Sequence, residues 1–284
     1  MGKIISVINN KGGVGKTSSV IFISELLAWL GAKTLVVDLD EQSNLSMILH
    51  AYVDDPDSVI AGTMEPETAP NIAELFKYQY CDKEKVENVI VKSSIENLDI
   101  IPSSKRHKNT QTIIQKSTGN KNTILRNALA KVKDDYDYVI IDNAPASDIL
   151  TINSIVASDY VITPVNTDGF GYVGMVDTLK TIQKIKEQYG LDVRFLGVFF
   201  TRAESNTNLY KDLSDAYKQE LEDKYFQSSI RKDIRVSEIE TKFVPILEYA
   251  PNTNAVFDYA QLILEMGILD TEKEKILKAA IGEE

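Results

Sequence analysis

Cysteine is nearly missing from this chain. Cys81 stands alone among 284 residues, which excludes an intrachain disulfide framework and any C-x-x-C metal or cluster site. Histidine is almost as scarce: His50 and His107 lie far apart, leaving little for a zinc site or a histidine-based triad. Long apolar runs are also lacking, and no segment has the length to cross a bilayer. The first residues do not follow the charged-then-apolar order of a secretory signal, because Ile4–Ile8 is only strand length. Met1-Gly2 with Ser6 fits a myristoylation pattern, but Lys3 leads directly into that strand run. No Pro/Gly/Ser-rich linker and no internal repeat divides the chain, so one α/β domain with a sizeable core is expected. The cytoplasm is the expected compartment, and magnesium with oxygen ligands is the metal that fits.

Positive charge is in deficit, with a net charge of −11, and it is unevenly spread. From Ile100 to Lys133 there is no Asp or Glu, yet Lys105, Arg106, Lys108, Lys116, Lys121, Arg126, Lys131 and Lys133 all fall there. Such asymmetry marks either a polyanion-binding face or a solvated helix and loop. Residues 51–97 are acidic and irregular, a fair candidate for an adaptor or effector surface.

What is present is concentrated at residues 9–18, Asn-Asn-Lys-Gly-Gly-Val-Gly-Lys-Thr-Ser, between the run Ile4–Ile8 and a helical pattern that closes at Gly31. A strand feeding a glycine-rich loop and Gly-Lys-Thr at a helix start is a phosphate cradle. Backbone N–H groups of Gly12, Gly13, Val14, Gly15, Lys16, Thr17 and Ser18 can turn toward phosphate oxygens, and the helix N-terminus adds partial positive charge. Lys16 is then placed for the β- and γ-phosphates and the Thr17 hydroxyl for magnesium. A nucleoside triphosphate is the expected ligand.

Apolar strand runs alternate with helical patterns along the chain. Strands are predicted at 4–8, 34–38, 98–101, 138–142, 160–164 and 193–201, and helices at 17–30, 122–132, 173–189, 209–225, 254–266 and 271–280, with a short turn and helix within 229–241. This alternation predicts a mostly parallel sheet with helices on both faces, and ligands beyond the carboxyl ends of the strands. Two such ends are acidic. Asp142 closes Val-Ile-Ile-Asp and reads as the Walker B carboxylate for magnesium, while Asp38 and Asp40 alternate after the second strand.

The phosphate loop carries a second lysine, Lys11, where a glycine would be expected one residue earlier and Asn10 stands instead. Lys11-Gly-Gly-Val-Gly-Lys-Thr resembles the deviant phosphate loop of the ParA/MinD ATPases, whose extra lysine crosses a nucleotide-sandwich dimer to the partner's phosphates. The alternative for Lys11 is a solvated loop lysine. The resemblance extends over nearly the whole chain. Asp38-Leu-Asp-Glu-Gln-Ser-Asn44 resembles the family's Asp-x-Asp-Pro-Gln-Gly-Asn, with Glu41 and Ser43 in place of its proline and glycine. Asp142-Asn-Ala-Pro145 stands for its Asp-x-Pro-Pro.

The resemblance implies a single-domain P-loop NTPase of the small ParA type over 1–267, followed by a helical tail over 268–284. By the same resemblance Asp38 supports the metal shell, Asp40 positions the attacking water, and ATP with Mg2+ is the cofactor. Adenine would lie near Arg202, Ile230, Pro251 and Asn252. An ATP-bound homodimer would bind duplex DNA non-specifically on the nucleoid, with a ParB-like adaptor stimulating hydrolysis and release. The family's Arg-Asn-Val-Arg-Leu-Ser-Glu segment resembles 231–238, which makes Arg231, Lys232 and Arg235 candidates for DNA. A second family arginine is Asn206 here, so Lys211, Lys218 or Arg202 would compensate. The alternative is a MinD-like membrane-surface positioning ATPase, which needs a basic amphipathic tail; residues 269–284 carry three lysines against five acids. Iron–sulfur carriers of this fold need cysteine pairs, and amide-ligating enzymes of this fold do not usually carry Lys11.

Overall fold

The sheet is built from apolar runs buried on both faces. A computed structural model describes residues 2–49, 51, 70–78, 80–103, 114, 119–145 and 148–283. Seven strands, β1 (Lys3–Val7), β2 (Thr34–Asp38), β3 (Val91–Lys92), β4 (Leu98–Ile101), β5 (Tyr138–Asp142), β6 (Tyr160–Asn166) and β7 (Arg194–Thr201), lie in the order β3-β4-β2-β5-β1-β6-β7. Every pairing is parallel except β3 with β4. Side chains alternate between two cores. Ile5, Val36 and Ile140 face one, and Ile4, Leu35, Val37, Val139 and Ile141 face the other. A sheet covered on both sides leaves no polar face, hence the continuous apolar runs.

Helix α1 (Lys16–Trp29) follows β1 and is buried on nearly all sides, as its sequence without a polar stripe requires. Gly31 closes it at φ 77°, a left-handed conformation that glycine adopts without cost. Beyond the sheet come short helices α2 (Asn44–Ile48), α3 (Ala73–Phe76) and α4 (Lys83–Glu87), then α5 (Ile124–Leu129), α6 (Ile149–Ala157), α7 (Gly169–Tyr189), α8 (Asn208–Leu221), α9 (Ile234–Lys242), α10 (Ile246–Tyr249), α11 (Asn254–Met266) and α12 (Thr271–Ile281). The periodicity predicts α8 through residue 225. It stops at Leu221 because Glu222 turns to φ 50°, which swings Tyr225 into the core against Phe200 and Tyr217. Periodicity does not reveal several of the shortest elements, among them the edge strand β3, the helix α2 and the single turn α10.

The buried Glu25 of α1 accepts the backbone N–H groups of Ile246 (3.0 Å) and Leu247 (2.9 Å), so α10 is docked by a carboxylate at its first turn. The tail helix α12 is capped by Asp270 and packs on α11, with Ile268 and Leu277 in the main core. Part of the basic 100–133 stretch is described. Arg126 and Lys133 line a cavity beside the N-terminal ends of β1, β6 and β7, the end of the sheet opposite the phosphate loop. Lys105, Arg106, Lys108, Lys116, His50 and His107 lie outside the described residues.

Candidate active site

The phosphate loop bridges the C-terminal end of β1 and the first turn of α1. Gly13 and Gly15 hold φ of 72° and 81°, left-handed backbone in which other residues are disfavoured. Gly15 caps α1 with no side-chain acceptor, which leaves the first-turn N–H groups to a ligand. The loop is pinned from behind. Asn9 Nδ2 donates to the Pro164 carbonyl (2.8 Å), and the Thr201 hydroxyl is 3.0 Å from the Val14 carbonyl.

A cavity of about 300 Å³ opens over the loop, lined by Gly13, Gly15, Lys16, Thr17, Ser18, Asp40, Asn44, Ile48, Pro145, Arg202, Glu240 and Phe243. Lys16 is 6 % exposed and donates to the Lys11 carbonyl (3.1 Å). Burial lowers its pKa, opposed by the nearby carboxylates of Asp142 and Asp40. Thr17 donates its hydroxyl to Asp142 Oδ2 at 2.7 Å. The other oxygen of Asp142 is buried with no hydrogen-bond partner. A buried carboxylate oxygen left open beside a threonine hydroxyl fits a metal ion's coordinated water, so the donor set suits magnesium. Burial, and then the Asp38 charge, push the Asp142 carboxyl well above its usual range, against the Thr17 hydrogen bond.

Asp38 is wholly buried and its oxygens are occupied by its own loop. Oδ1 accepts the Asp40 N–H (3.0 Å), and Oδ2 accepts the Ser46 N–H (3.0 Å) and hydroxyl (2.6 Å). Burial raises its pKa to about 7 despite these bonds. Its place is therefore within the 38–46 turn, which it shapes and which carries Asp40. Within that turn Ser43, which replaces the family's glycine, sits at φ 57° with its hydroxyl buried and without a hydrogen-bond partner. Ser43→Gly is expected to stabilise the fold by about 0.5–1 kcal/mol, read by urea denaturation; a loss of stability would show that the hydroxyl has a role.

Lys11 is at the rim, and its Nζ donates to both carboxylate oxygens of Asp168 at 2.7 and 2.6 Å. Among the adenine candidates Arg202 lines the cavity, at φ 51°. Ile230 is a core side chain whose N–H donates to the Phe200 carbonyl, leaving no side-chain group for a ligand. Pro251 and Asn252 are exposed at the turn before α11, outside that lining.

Three of the DNA candidates are engaged within the protomer. Arg231 grips Asp258 through Nε and Nη2 (2.6–3.0 Å), Lys232 pairs with Glu204 (2.8 Å), and Arg235 pairs with Glu238 (3.0 Å) beside the Tyr249 ring. Lys211 and Lys218 are on α8 and, among the described residues, form no ion pair. Asp258 is only 4 % exposed, so Arg231→Ala strands a buried carboxylate and is expected to cost about 3 kcal/mol in chemical denaturation. Arg235 is exposed, and Arg235→Ala should cost under about 1 kcal/mol.

Sequence reasoning assigns no site role to Asn44, Ile48 or Pro145 of this lining, and it misses two residues far along the chain altogether. Glu240 accepts the Ser18 hydroxyl at 2.6 Å, and Phe243 holds φ 52° at the end of α9. Nothing local signals either, because both reach the loop only through the packing of α9.

Comparison with known proteins agrees with this geometry. The family described as AAA domain matches residues 2–195. The sporulation initiation inhibitor protein Soj of Bacillus subtilis is 30% identical over 94% of this chain and 98% of its own. The chromosome-partitioning ATPase Soj of Treponema pallidum is 28% identical over 96% of this chain and 100% of its own. Among solved structures, a putative plasmid partition protein of Borrelia burgdorferi bound to AMPPNP superposes with a TM-score of 0.74 at 24% identity, covering 94% of this chain and 99% of that one. Cobyrinic acid a,c-diamide synthase of Mycobacterium smegmatis, with an ATP analogue and magnesium, gives 0.69 at 25% identity, covering 85% and 92%. With the family model over residues 2–195 and relatives matched nearly end to end, the chain belongs to the AAA-domain family and, within it, to the ParA-type P-loop ATPases.

Proposed function

We propose that this protein is a DNA-segregation ATPase that works as an ATP-bound sandwich dimer. The observation that carries the reading is Lys11, a second lysine in the phosphate loop, with a side chain that is only part-buried. ATP is held by the N–H groups of Gly12–Ser18 and by Lys16, and Thr17 with Asp142 holds magnesium. Bound magnesium supplies charge neutralisation on the phosphate oxygens. Asp40 orients the attacking water from a turn fixed by Asp38. Catalysis of this kind is mainly positioning and electrostatics.

The dimer binds duplex DNA through phosphate contacts alone, and a ParB-like adaptor stimulates hydrolysis and so release on the nucleoid. Arg235 is the first residue for that contact, because its ion pair is exposed and exchanges readily for a phosphate. Arg231 has the weaker claim, being tied to a buried carboxylate. The membrane-surface alternative finds little in α12, whose Leu277 is committed to the core, and no helix among the described residues is long and apolar enough to cross a membrane.

The test is fluorescence anisotropy of random-sequence duplex DNA with ATP–Mg or ADP–Mg, titrated in salt. Tight, salt-sensitive binding with ATP only, lost in Lys11→Ala and weakened several-fold in Arg235→Ala, is the expected result. No binding in either nucleotide state would overturn the DNA reading.

A further inference from the structure

Lys11 is held in a defined place within its own protomer. Its Nζ bonds both oxygens of Asp168, its N–H donates to Asn9 Oδ1 (2.9 Å), and its carbonyl accepts from Lys16 Nζ (3.1 Å). Asp168 belongs to the turn between β6 and α7, and the strand and helix on either side of that turn also bond the phosphate loop. Asn166 Nδ2 donates to the Gly13 carbonyl (3.2 Å), and the Asn10 N–H donates to Thr178 Oγ1 (3.3 Å). The first turns of α7 lie so close that a Cβ at Gly174 would stand 3.4 Å from both Asn9 Oδ1 and Lys11 Cβ.

From this arrangement we infer that Asp168 is a latch, which retains Lys11 on its own protomer and must release it before the lysine can serve a partner's phosphates. This rests on the sandwich-dimer reading of Lys11. An ammonium that gives two of its three N–H groups to Asp168 keeps one for a partner's phosphates, so engaging them fully means leaving the carboxylate. A triphosphate carries more charge than one carboxylate, so a loaded partner draws the lysine away, whereas an empty one does not. The pair is part-exposed, with side chains 28% and 44% accessible, which keeps its opening within reach of one ion-pair exchange. Opening also removes that ion pair from Asp168, just before α7, so that the β6–α7 turn senses the state of the interface. Asp168 thus acts through Lys11 as a positioning residue.

The experiment is sedimentation equilibrium with ATPγS–Mg on wild type, Asp168→Asn and Asp168→Glu, together with binding of a fluorescent ATP analogue at protein concentrations too low to dimerise. Two latches open per dimer, each worth about threefold, so Asp168→Asn should tighten dimerisation about tenfold. Asp168→Glu should stay near wild type, and nucleotide affinity of the monomer should not move in either variant. An Asp168→Asn dimer that is unchanged or weaker than wild type would overturn the latch, the latter by showing that Asp168 supports Lys11 in its working position. Tighter binding of nucleotide to the Asp168→Asn monomer would overturn it as well, since that is simple loss of negative charge beside the phosphates. A wild type that dimerises beside an unresponsive Asp168→Asn sinks the latch alone, whereas a wild type that stays monomeric with ATPγS sinks the dimer reading and the latch together.

Discussion

Asp40→Ala is expected to keep ATP bound while losing about a hundred- to a thousandfold in turnover. Asp40 shares the cavity with Lys16 and Thr17, yet it belongs to neither the loop nor the helix start. Its backbone N–H is anchored on Asp38, and its own Oδ1 accepts the Gln42 N–H at 2.9 Å, so the carboxyl sits on a turn with little freedom. A carboxylate held there is arranged to orient a water rather than to bind phosphate, which it repels. Removing it takes nothing from the cradle, so affinity should hold or rise slightly. The measurements are single-turnover hydrolysis and equilibrium binding of a fluorescent ATP analogue. Turnover within a few-fold of wild type would mean that another group places the water.

The largest expected effect on stability is at Glu25. Both its oxygens serve the N–H groups that begin α10, deep in the main core, and Glu25→Ala leaves those donors without acceptors beside a cavity. A loss of about 3–5 kcal/mol is expected. The pH dependence separates charge from packing. Burial, resisted by the two backbone hydrogen bonds, raises the Glu25 pKa to about 7 from an ordinary 4.5. Between those values the folded chain binds more protons than the unfolded one, so stability falls as pH rises through this window. The cost of the ionised carboxylate is absent below about pH 4.5 and fully present above about pH 7, where it reaches roughly 3 kcal/mol.

Glu25→Gln cannot ionise but offers one acceptor fewer. It should therefore be less stable than wild type by about 1–2 kcal/mol at pH 5, with the gap closing or reversing by pH 8. Urea denaturation at the two pH values reads this directly. A gap that stays constant would mean that Glu25 is ionised throughout. Comparing the two chains cancels the contribution of Asp38, which also titrates near 7.

The readings that survive the structure are local ones. Strand, glycine loop and helix start are contiguous, so the phosphate site is spelled out in one stretch of ten residues. Asp38, Asp40 and Asp142 were legible because carboxyl ends of parallel strands share one edge of the sheet, and β2, β5 and β1 are adjacent there. Ser43 was legible only as a departure from the family's glycine; its backbone at φ 57° is a finding of the structure. Helix limits were less legible where a cap is unusual. Glu222 at φ 50° is not a residue from which a stop is read, so α8 was drawn too long.

What the sequence alone determined about this protein is its ATPase family and where the glycine loop, the acidic strand ends and the extra lysine lie, each carried by residues close along the chain or at predictable strand ends. Only the tertiary structure decided how those groups are employed. It set Lys11 against Asp168, 157 residues away, Ser18 against Glu240, 222 away, and Glu25 against the first turn of α10, 221 away. It also showed Arg231 committed to a buried Asp258 while Arg235 stays at the surface. The reason is physical. Periodicity and loop composition report which face of an element is buried, but not which distant polar group meets it there, and that choice is made by helix packing across the whole sheet.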